Sequence, residues 1–127
     1  MNIVDSSGWL EYFSNGANAS AFAKLIEKPE ELIVPSITII EVFKRILQQR
    51  DEQSALQAAA HMNQGTGVEL DSDLAISAAK LGYDLKLPLA DSIILATAYQ
   101  YQVVLWTQDE DFKSIKGVHF IPKKNNS

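Results

Sequence analysis

Short β-branched segments that alternate with longer helical stretches are the feature that most constrains the fold of this chain. They predict strands at Ile3-Val4, Leu32-Ile33-Val34, Val68-Glu69-Leu70, Val103-Val104-Leu105-Trp106 and Val118-His119-Phe120-Ile121. The segments 3–4, 32–34 and 103–106 show no alternation of polar and apolar residues, which is typical of strands buried on both faces. These strands therefore favour a parallel sheet covered on both sides.

The stretches between the strands have the composition and boundary residues of helices. They predict helices at Ala19–Glu27, Ile37–Gln49 with Ser36 as N-cap, Asp51–Asn63 closed by Gly65 and Gly67, Asp73–Leu81 ended by Gly82, and Ala90–Tyr101. Strands that alternate with helices predict an α/β fold, a three-layer α/β/α sandwich around a mainly parallel sheet of about five strands. A length of 127 residues fits one domain over 1–127, with a short flexible tail at 123–127.

Composition excludes several kinds of chemistry. The chain has no Cys, which rules out thiol nucleophiles and thiolate-bound metals, and His61 and His119 are too far apart in sequence to suggest a His-rich metal site. A net charge of −5 argues against nucleic-acid binding by bulk electrostatics, so a polyanion would need local positive charge or a bound cation. No apolar run suits a membrane span and no signal peptide is evident, which predicts a cytoplasmic protein without membrane contact.

Acidic residues follow two of the predicted strands. Asp5 comes directly after Ile3-Val4, and Asp109 comes three residues after Trp106. The carboxyl ends of parallel strands meet at one edge of a sheet, where such folds place their active sites. Asp91 opens the 90–101 helix on an apolar stripe, where a carboxylate is costly unless something compensates it. Glu41 lies outside the middle of the predicted apolar arc of its helix, which consists of Ile39, Ile40, Phe43, Ile46 and Leu47.

Each acid also has an ordinary structural interpretation. Asp5 could cap a helix that begins near Ser7, and Asp109 could cap a short turn before Phe112. Asp91 could complement the dipole of its helix, and Glu41 could pair with Lys44 or Arg45 on the surface. Periodicity alone does not bring the four acids together.

Four segments in order resemble the PIN-domain family, and within it the VapC-type toxins. They are residues 2–10 (NIVDSSGWL), 35–42 (PSITIIEV), 87–96 (LPLADSIILA) and 105–112 (LWTQDEDF). The resemblance implies a ribonuclease that acts as the toxin of a type II toxin–antitoxin pair, with a cognate antitoxin as partner and commonly a homodimer. It also implies a catalytic quartet of Asp5, Glu41, Asp91 and Asp109.

The resemblance further implies roles for individual residues. Asp5, Asp91 and Asp109 would hold Mg²⁺ or Mn²⁺, and Glu41 would complete the site or orient the attacking water. Ser6 and Thr107 match hydroxyl positions that would support the ligands, and Asp111 is a further site candidate. Gln108 departs from the basic or apolar residue that relatives often carry, which affects only an auxiliary contact.

The proposed chemistry needs these residue types. An RNA phosphodiester is anionic, so clustered carboxylates repel it unless divalent cations reverse the local charge and acidify a water molecule. Oxygen ligands without Cys or a suitably placed His favour Mg²⁺ or Mn²⁺. Without the four acids of the quartet, acidic and basic residues are almost equal in number.

Other residues suggest surfaces for partners. Trp9, Tyr12 and Phe13 share one helical face, which would pack in the core or form a groove for an antitoxin segment. Tyr99 and Tyr101 could line a dimer interface. Lys113 and Lys116 follow the Asp109 loop and could contact an RNA backbone, although a solvated face is the ordinary interpretation of scattered lysines.

Three competing assignments differ from this one. A response-regulator receiver needs an acidic pair after its first strand and a Lys after its fifth, but Ser6-Ser7 and Pro122 stand there. A haloacid-type phosphatase needs Asp-x-Asp, which Asp5-Ser6-Ser7 does not provide. A catalytically silent PIN fold that acts as a binding module stays open, and metal titration would distinguish it.

Overall fold

The computed structural model of the chain describes residues 1–124. Five short strands lie within this range: β1 Asn2–Val4, β2 Ile33–Pro35, β3 Thr66–Val68, β4 Val104–Thr107 and β5 Val118–Phe120. The helices are α1 Ser6–Phe13, α2 Ala19–Ile26, α3 Ser36–Gln49, α4 Glu52–Met62, α5 Ser72–Leu85 and α6 Leu89–Tyr101. Two short 3-10 helices cover Pro29–Glu31 and Glu110–Phe112.

All paired strands run parallel, as the sequence predicts. One ladder has the order β1-β4-β5 and the other pairs β2 with β3. Ile3 stands opposite Leu105, and Leu105 stands opposite Val118 on its other side. A single parallel bridge between Asn2 and Leu32 connects the two ladders, so the order across the molecule is β3-β2-β1-β4-β5. The sheet thus consists of three plus two strands rather than one continuous ladder.

Successive strand residues point into different cores, and this alternation produces the three layers. Val4 and Val34 belong to a core with residues of α1 to α4, among them Trp9, Phe22 and Met62. Ile3, Ile33 and Leu105 belong to the opposite core, which contains Ile94, Leu95 and Phe112. The sheet therefore lies between two helical layers, and the predicted α/β/α sandwich is confirmed.

Helix α6 is the most buried helix of the part that the structure describes. Every residue from Asp91 to Ala98 is buried. One side of α6 packs on the sheet through Ile94 and Leu95, and another packs on α5, where Ile93 and Ala96 contact Leu74 and Ala78. A polar side chain in the first turn of α6 is consequently held in a fixed environment.

Helix α5 is longer than predicted. It runs through Gly82 to Leu85 and is followed by Lys86 in the left-handed conformation, with φ 56°. A Cβ at position 82 would lie 2.4 Å from Ser92 Oγ, so Gly82 allows α5 and α6 to approach closely. The glycine serves helix packing here, and the prediction that it ends the helix is wrong.

Strand β3 lies two residues earlier than predicted. Helix α4 ends at Met62, and Thr66–Val68 then pairs with Ile33–Pro35. Glycine therefore occurs inside the strand at position 67, whereas the sequence pattern treats it as a helix terminator. Leu70, a residue of the predicted strand, lies beyond the end of β3 and is 47% exposed.

The buried face of α3 also differs from the predicted arc. Ile40 and Leu47 are 60% and 46% exposed, while Thr38, Val42 and Ile46 are buried. Apolar side chains occur on both sides of this helix, so their spacing alone does not identify the side that packs. Ser36 is the first helical residue rather than the N-cap, which is Pro35 without a side-chain capping bond.

At the end of the chain, Lys123 and Lys124 are exposed, and the remaining residues of the predicted tail, 125–127, lie outside the described residues. None of the helices within residues 1–124 is both long and apolar enough to cross a membrane.

Candidate active site

The four acids singled out in the sequence converge at the carboxyl edge of the sheet. Asp5 follows β1 and Asp109 follows its neighbour β4. Glu41 comes from α3, which continues directly from β2, and Asp91 lies in the first turn of α6. The chain leaves β1 toward β2 on one side and joins β4 on the other, and such a change of direction opens a crevice at the strand ends.

Asp5 is a buried carboxylate held by three donors. Its Oδ1 accepts from Ser7 Oγ at 2.7 Å and from the Gly8 backbone N at 3.2 Å, and its Oδ2 accepts from Thr107 Oγ1 at 2.8 Å. The bond from Gly8 makes Asp5 the N-cap of α1, so the ordinary capping interpretation is correct. Burial raises the pKa of Asp5 to about 6, although these hydrogen bonds oppose the increase.

Asp91 is also buried, though less completely than Asp5, and it is differently supported. It is 8% exposed and accepts no hydrogen bond from residues 1–124. Burial raises its pKa to about 7, and the negative charges of Asp109, Asp5, Glu41 and Asp111 add to the increase. A carboxyl group whose pKa is raised mainly by burial, and further by neighbouring acids, indicates a site where negative charges are close together and uncompensated.

Three of the acids lie close enough to share a cation. One carboxylate oxygen from each of Asp91, Asp109 and Asp111 lies within 4.8 Å of the other two. Asp109 accepts from the backbone N of Asp111 at 2.9 Å and thereby caps the 3-10 helix Glu110–Phe112. The backbone N of Asp109 donates to Thr107 Oγ1 at 2.9 Å. Thr107 therefore connects the environment of Asp5 with the loop that carries Asp109.

Ser6 and Glu41 form a second contact between elements. Ser6 Oγ at the start of α1 donates to Glu41 Oε1 on α3. Both residues are half-buried, so Glu41 is held at the rim of the acidic cluster and reaches solvent. Its hydrogen-bond partner is Ser6, rather than the Lys44 or Arg45 of the ordinary interpretation.

The donor set of this cluster fits a hard divalent cation. Carboxylate oxygens are the ligands that Mg²⁺ and Mn²⁺ prefer. A doubly charged ion would compensate the buried charge of Asp91 and relieve the repulsion from its acidic neighbours, which together raise the pKa of Asp91. Within the described residues, the compact group consists of Asp91, Asp109 and Asp111, with Asp5 outside it. The sequence ranks Asp5 as a ligand and Asp111 as a supporting residue, and the geometry gives Asp111 the closer position.

Ser7 has a structural position at the site to which the sequence assigned no role. Its Oγ donates to Asp5, lies 3.3 Å from Thr107 Oγ1, and accepts from the backbone N of Gln108 at 3.2 Å. A Ser two residues after a capping Asp is a weak local signal. Its contacts with residues 107 and 108 join positions about a hundred residues apart, which no local pattern reveals.

An open groove of about 830 Å³ adjoins the acidic site. It runs between α1, α3 and α4, and Ser7 and Gln108 lie at its boundary with the site. Its lining combines apolar side chains with three cations and one carboxylate; these residues include Leu10, Phe13, Ile46, Arg45, Arg50, Lys123 and Glu11. The groove thus offers apolar and positive surface beside a negative site.

The aromatic face of α1 belongs mostly to the core. Trp9 is 1% exposed, while Tyr12 and Phe13 pack against the core from a partly buried position. His61 of α4 makes edge contacts with all three rings. The core interpretation is correct for Trp9, and Phe13 also lines the groove.

Comparison with solved structures places this fold among toxin–antitoxin proteins. A chain of the toxin-antitoxin complex from Klebsiella pneumoniae is 27% identical, with a TM-score of 0.77 over 95% of this chain and 100% of that chain. VapC20 from Mycobacterium tuberculosis, described as a sarcin-ricin loop cleaving toxin, is 16% identical, with a TM-score of 0.76 over 96% and 100%. DNA-bound VapBC from Salmonella typhimurium is 15% identical, with a TM-score of 0.72 over 95% and 96%.

Sequence comparison agrees with the fold. No curated protein matches the chain significantly. The family model for the PIN domain, in contrast, matches residues 3–118, which include all four acids of the quartet and Asp111. The chain belongs to the PIN domain family.

Proposed function

We propose that this protein is a metal-dependent endoribonuclease that hydrolyses RNA phosphodiester bonds and acts as the toxin of a type II toxin–antitoxin system. The observation that carries the proposal is the grouping of Asp91, Asp109 and Asp111 within 4.8 Å beside the buried Asp5. Such a cluster suits Mg²⁺ or Mn²⁺, and a bound cation of this kind supplies positive charge for a phosphate and increases the acidity of water. The proposed place of action is the cytoplasm, where the RNA would be met.

In this proposal, the contacts of each residue indicate its role. Asp91, Asp109 and Asp111 would hold the cation, and Asp5 would contribute from a carboxylate fixed by Ser7, Gly8 and Thr107. Glu41 reaches solvent and is held by Ser6, which suits it to orient a water molecule or accept its proton. Thr107 bonds to both the Asp5 carboxylate and the backbone N of Asp109, and so would hold the two acids in fixed positions relative to each other.

The relatives support the proposed class of activity. The Klebsiella complex pairs a toxin with an antitoxin, and the Mycobacterium protein is described as cleaving the sarcin-ricin loop.

Cleavage of RNA by the purified protein tests the activity. Total RNA would be incubated with Mn²⁺, with Mn²⁺ plus excess chelator, and with Asp91→Asn under the same conditions, and the new ends would be mapped by sequencing. We expect discrete new ends with the wild type and Mn²⁺ only. Equal ends in all three samples would contradict the proposal, and absence of cleavage together with absence of Mn²⁺ binding would favour the silent binding module.

The proposed antitoxin site is the groove beside the active site. A segment with apolar and acidic side chains would match Phe13 and Ile46 on one hand and Arg45 and Arg50 on the other. We expect Phe13→Asp to lose an antitoxin that copurifies with the wild type while it retains Mn²⁺-dependent RNA cleavage. Copurification at the wild-type level would place the antitoxin elsewhere.

The proposed homodimer has two candidate surfaces. Tyr99 and Tyr101 at the end of α6 are 39% and 45% exposed. Ile76 and Tyr83, two turns apart on α5, are 71% and 86% exposed. Sedimentation of Tyr101→Glu and Tyr83→Glu beside the wild type would identify the surface whose substitution yields a monomer. A wild-type monomer at high concentration would contradict the dimer.

A further inference from the structure

Asn18 and Gln108 form a buried polar contact that the proposed chemistry does not use directly. Asn18 is 1% exposed and Gln108 is 7% exposed. Asn18 Nδ2 donates to Gln108 Oε1 at 3.0 Å and to the backbone carbonyl oxygen of Pro122 at 3.0 Å. The Pro122 carbonyl can only accept, so it fixes the orientation of the Asn18 amide, which in turn fixes that of Gln108.

The position of Asn18 is unusual for its residue type. It is the N-cap of α2, yet its side chain makes no capping bond. Its Oδ1 is buried without a hydrogen-bond partner in the described residues. Buried polar atoms are normally satisfied, and Asn at an N-cap normally accepts from the helix. Both local preferences give way to the two bonds from Nδ2, which indicates that these bonds serve another purpose.

The contact holds the segment that carries the acids. Gln108 stands between Thr107, which donates to Asp5, and Asp109, which belongs to the cation-binding group. Its backbone N donates to Ser7 Oγ, so both the backbone and the side chain of residue 108 are held by residues from the start of the chain. Glu11 Oε2 accepts from the backbone N of Asn18 at 2.8 Å and connects this arrangement to α1.

We propose that Asn18 and Gln108 are positioning residues that fix residues 108–111 after β4, the β4 loop, and so place Asp109 and Asp111 opposite Asp91 for cation binding. The inference rests on the proposed function, because it concerns the same cation site. The cause is geometric: an acid that is no longer held in place binds a shared cation less well, and loss of such support commonly weakens metal binding about tenfold or more.

Calorimetric titration of the intact protein with Mn²⁺ tests the positioning role. Asn18→Leu keeps the branched shape without the donor, and Gln108→Met keeps the length without the acceptor. We expect each to raise the Kd for Mn²⁺ about tenfold. The Kd of the double variant for Mn²⁺ should be no higher than that of the single variant that binds Mn²⁺ less tightly, because both changes remove the same bond. Gln53→Met, the same change at an exposed position on α4, should bind as the wild type does.

A conservative variant separates positioning from stability. Gln108→Glu retains an oxygen that accepts from Asn18, so we expect it to bind Mn²⁺ at least as tightly as the wild type. The thermal midpoint of each metal-free variant is measured, and titrations are run well below it. Wild-type Kd values for both Asn18→Leu and Gln108→Met, whatever their midpoints, would overturn the positioning role alone. A wild type that binds no Mn²⁺ would overturn the cation site and this inference together.

Discussion

Two buried carboxylates at the same sheet edge, one at the end of β1 and one at the start of α6, have opposite support. Asp5 accepts three hydrogen bonds, from Ser7, Gly8 and Thr107, whereas Asp91 accepts none from residues 1–124. The pKa of Asp91 is nevertheless raised further, to about 7 against about 6. Hydrogen bonds thus offset part of the cost of burying the Asp5 charge, whereas Asp91 receives no such bond from the described residues, and the proposed cation would compensate its charge.

The largest expected effect is on catalysis. Asp91→Asn removes the least supported acid of the cluster, and we expect Mn²⁺-dependent RNA cleavage to fall roughly a thousandfold. Asp84→Asn, the same change at an exposed position on α5, should cleave at the wild-type rate. Rates are compared on the mapped RNA under single-turnover conditions. Cleavage by Asp91→Asn within a few-fold of the wild type would remove Asp91 from the site.

Cation binding should stabilise the fold strongly. A ligand at a hundred times its Kd contributes about 2.7 kcal/mol, which for a domain of this size raises the Tm by roughly 10 °C. Calorimetric scans of the wild type with and without Mn²⁺ measure this increase. Asp91→Asn should show little of it, because the compact group of three acids is incomplete. An equal increase in the variant would mean that Mn²⁺ binds elsewhere.

The stability of the metal-free protein should depend on pH with an unusual sign. Both pKa values lie above the ordinary 3.8, so the folded protein retains protons that the unfolded chain has already released. The free energy of unfolding should therefore fall by several kcal/mol as the pH rises from about 4 to about 8. Urea denaturation in the presence of chelator measures it across this range.

The same experiment on variants separates the two carboxylates. Asp91→Asn should flatten the fall more than Asp5→Asn, since the higher pKa makes the larger contribution. At about pH 8 without metal, Asp91→Asn should be more stable than the wild type. If the free energy of unfolding fell more steeply with pH in Asp91→Asn than in Asp5→Asn, Asp5 rather than Asp91 would make the larger contribution.

The smallest expected effect concerns the support of Asp5. Thr107→Val keeps the shape of the side chain and removes the bond to Asp5 and the acceptor for the Asp109 backbone N. We expect RNA cleavage to fall about tenfold, as is common when a residue that orients a ligand is lost. Thr66→Val, at an exposed position of β3, is the matched control. An unchanged rate in Thr107→Val would show that Asp5 keeps its position without this hydroxyl.

The sequence predicts the class of fold because local signals and burial agree. Ile3, Ile33 and Leu105 are apolar, β-branched or bulky, and central in the sheet, and the helices between strands begin and end within a few residues of the predicted bounds. The errors occur where packing overrides a local signal. Gly82 is needed for contact with Ser92 rather than for a helix end, and Gly67 pairs in a strand.

The candidate site is only partly accessible to such reasoning. Asp5 and Asp109 can be placed from strand ends alone, and the order of motifs adds Asp91 and Glu41 through family resemblance. The closer position of Asp111 depends on the 3-10 helix that Asp109 caps. The contacts of Ser7 and Asn18 with the β4 loop join distant parts of the chain, and no spacing rule predicts them.

The measurement that most directly tests the cation site is anomalous diffraction from crystals of the protein grown with Mn²⁺. The account predicts an anomalous peak between the carboxylates of Asp91, Asp109 and Asp111, within coordination distance of all three. A map from fully exchanged crystals with no peak among these residues, and with Asp91 facing only protein atoms, would contradict it.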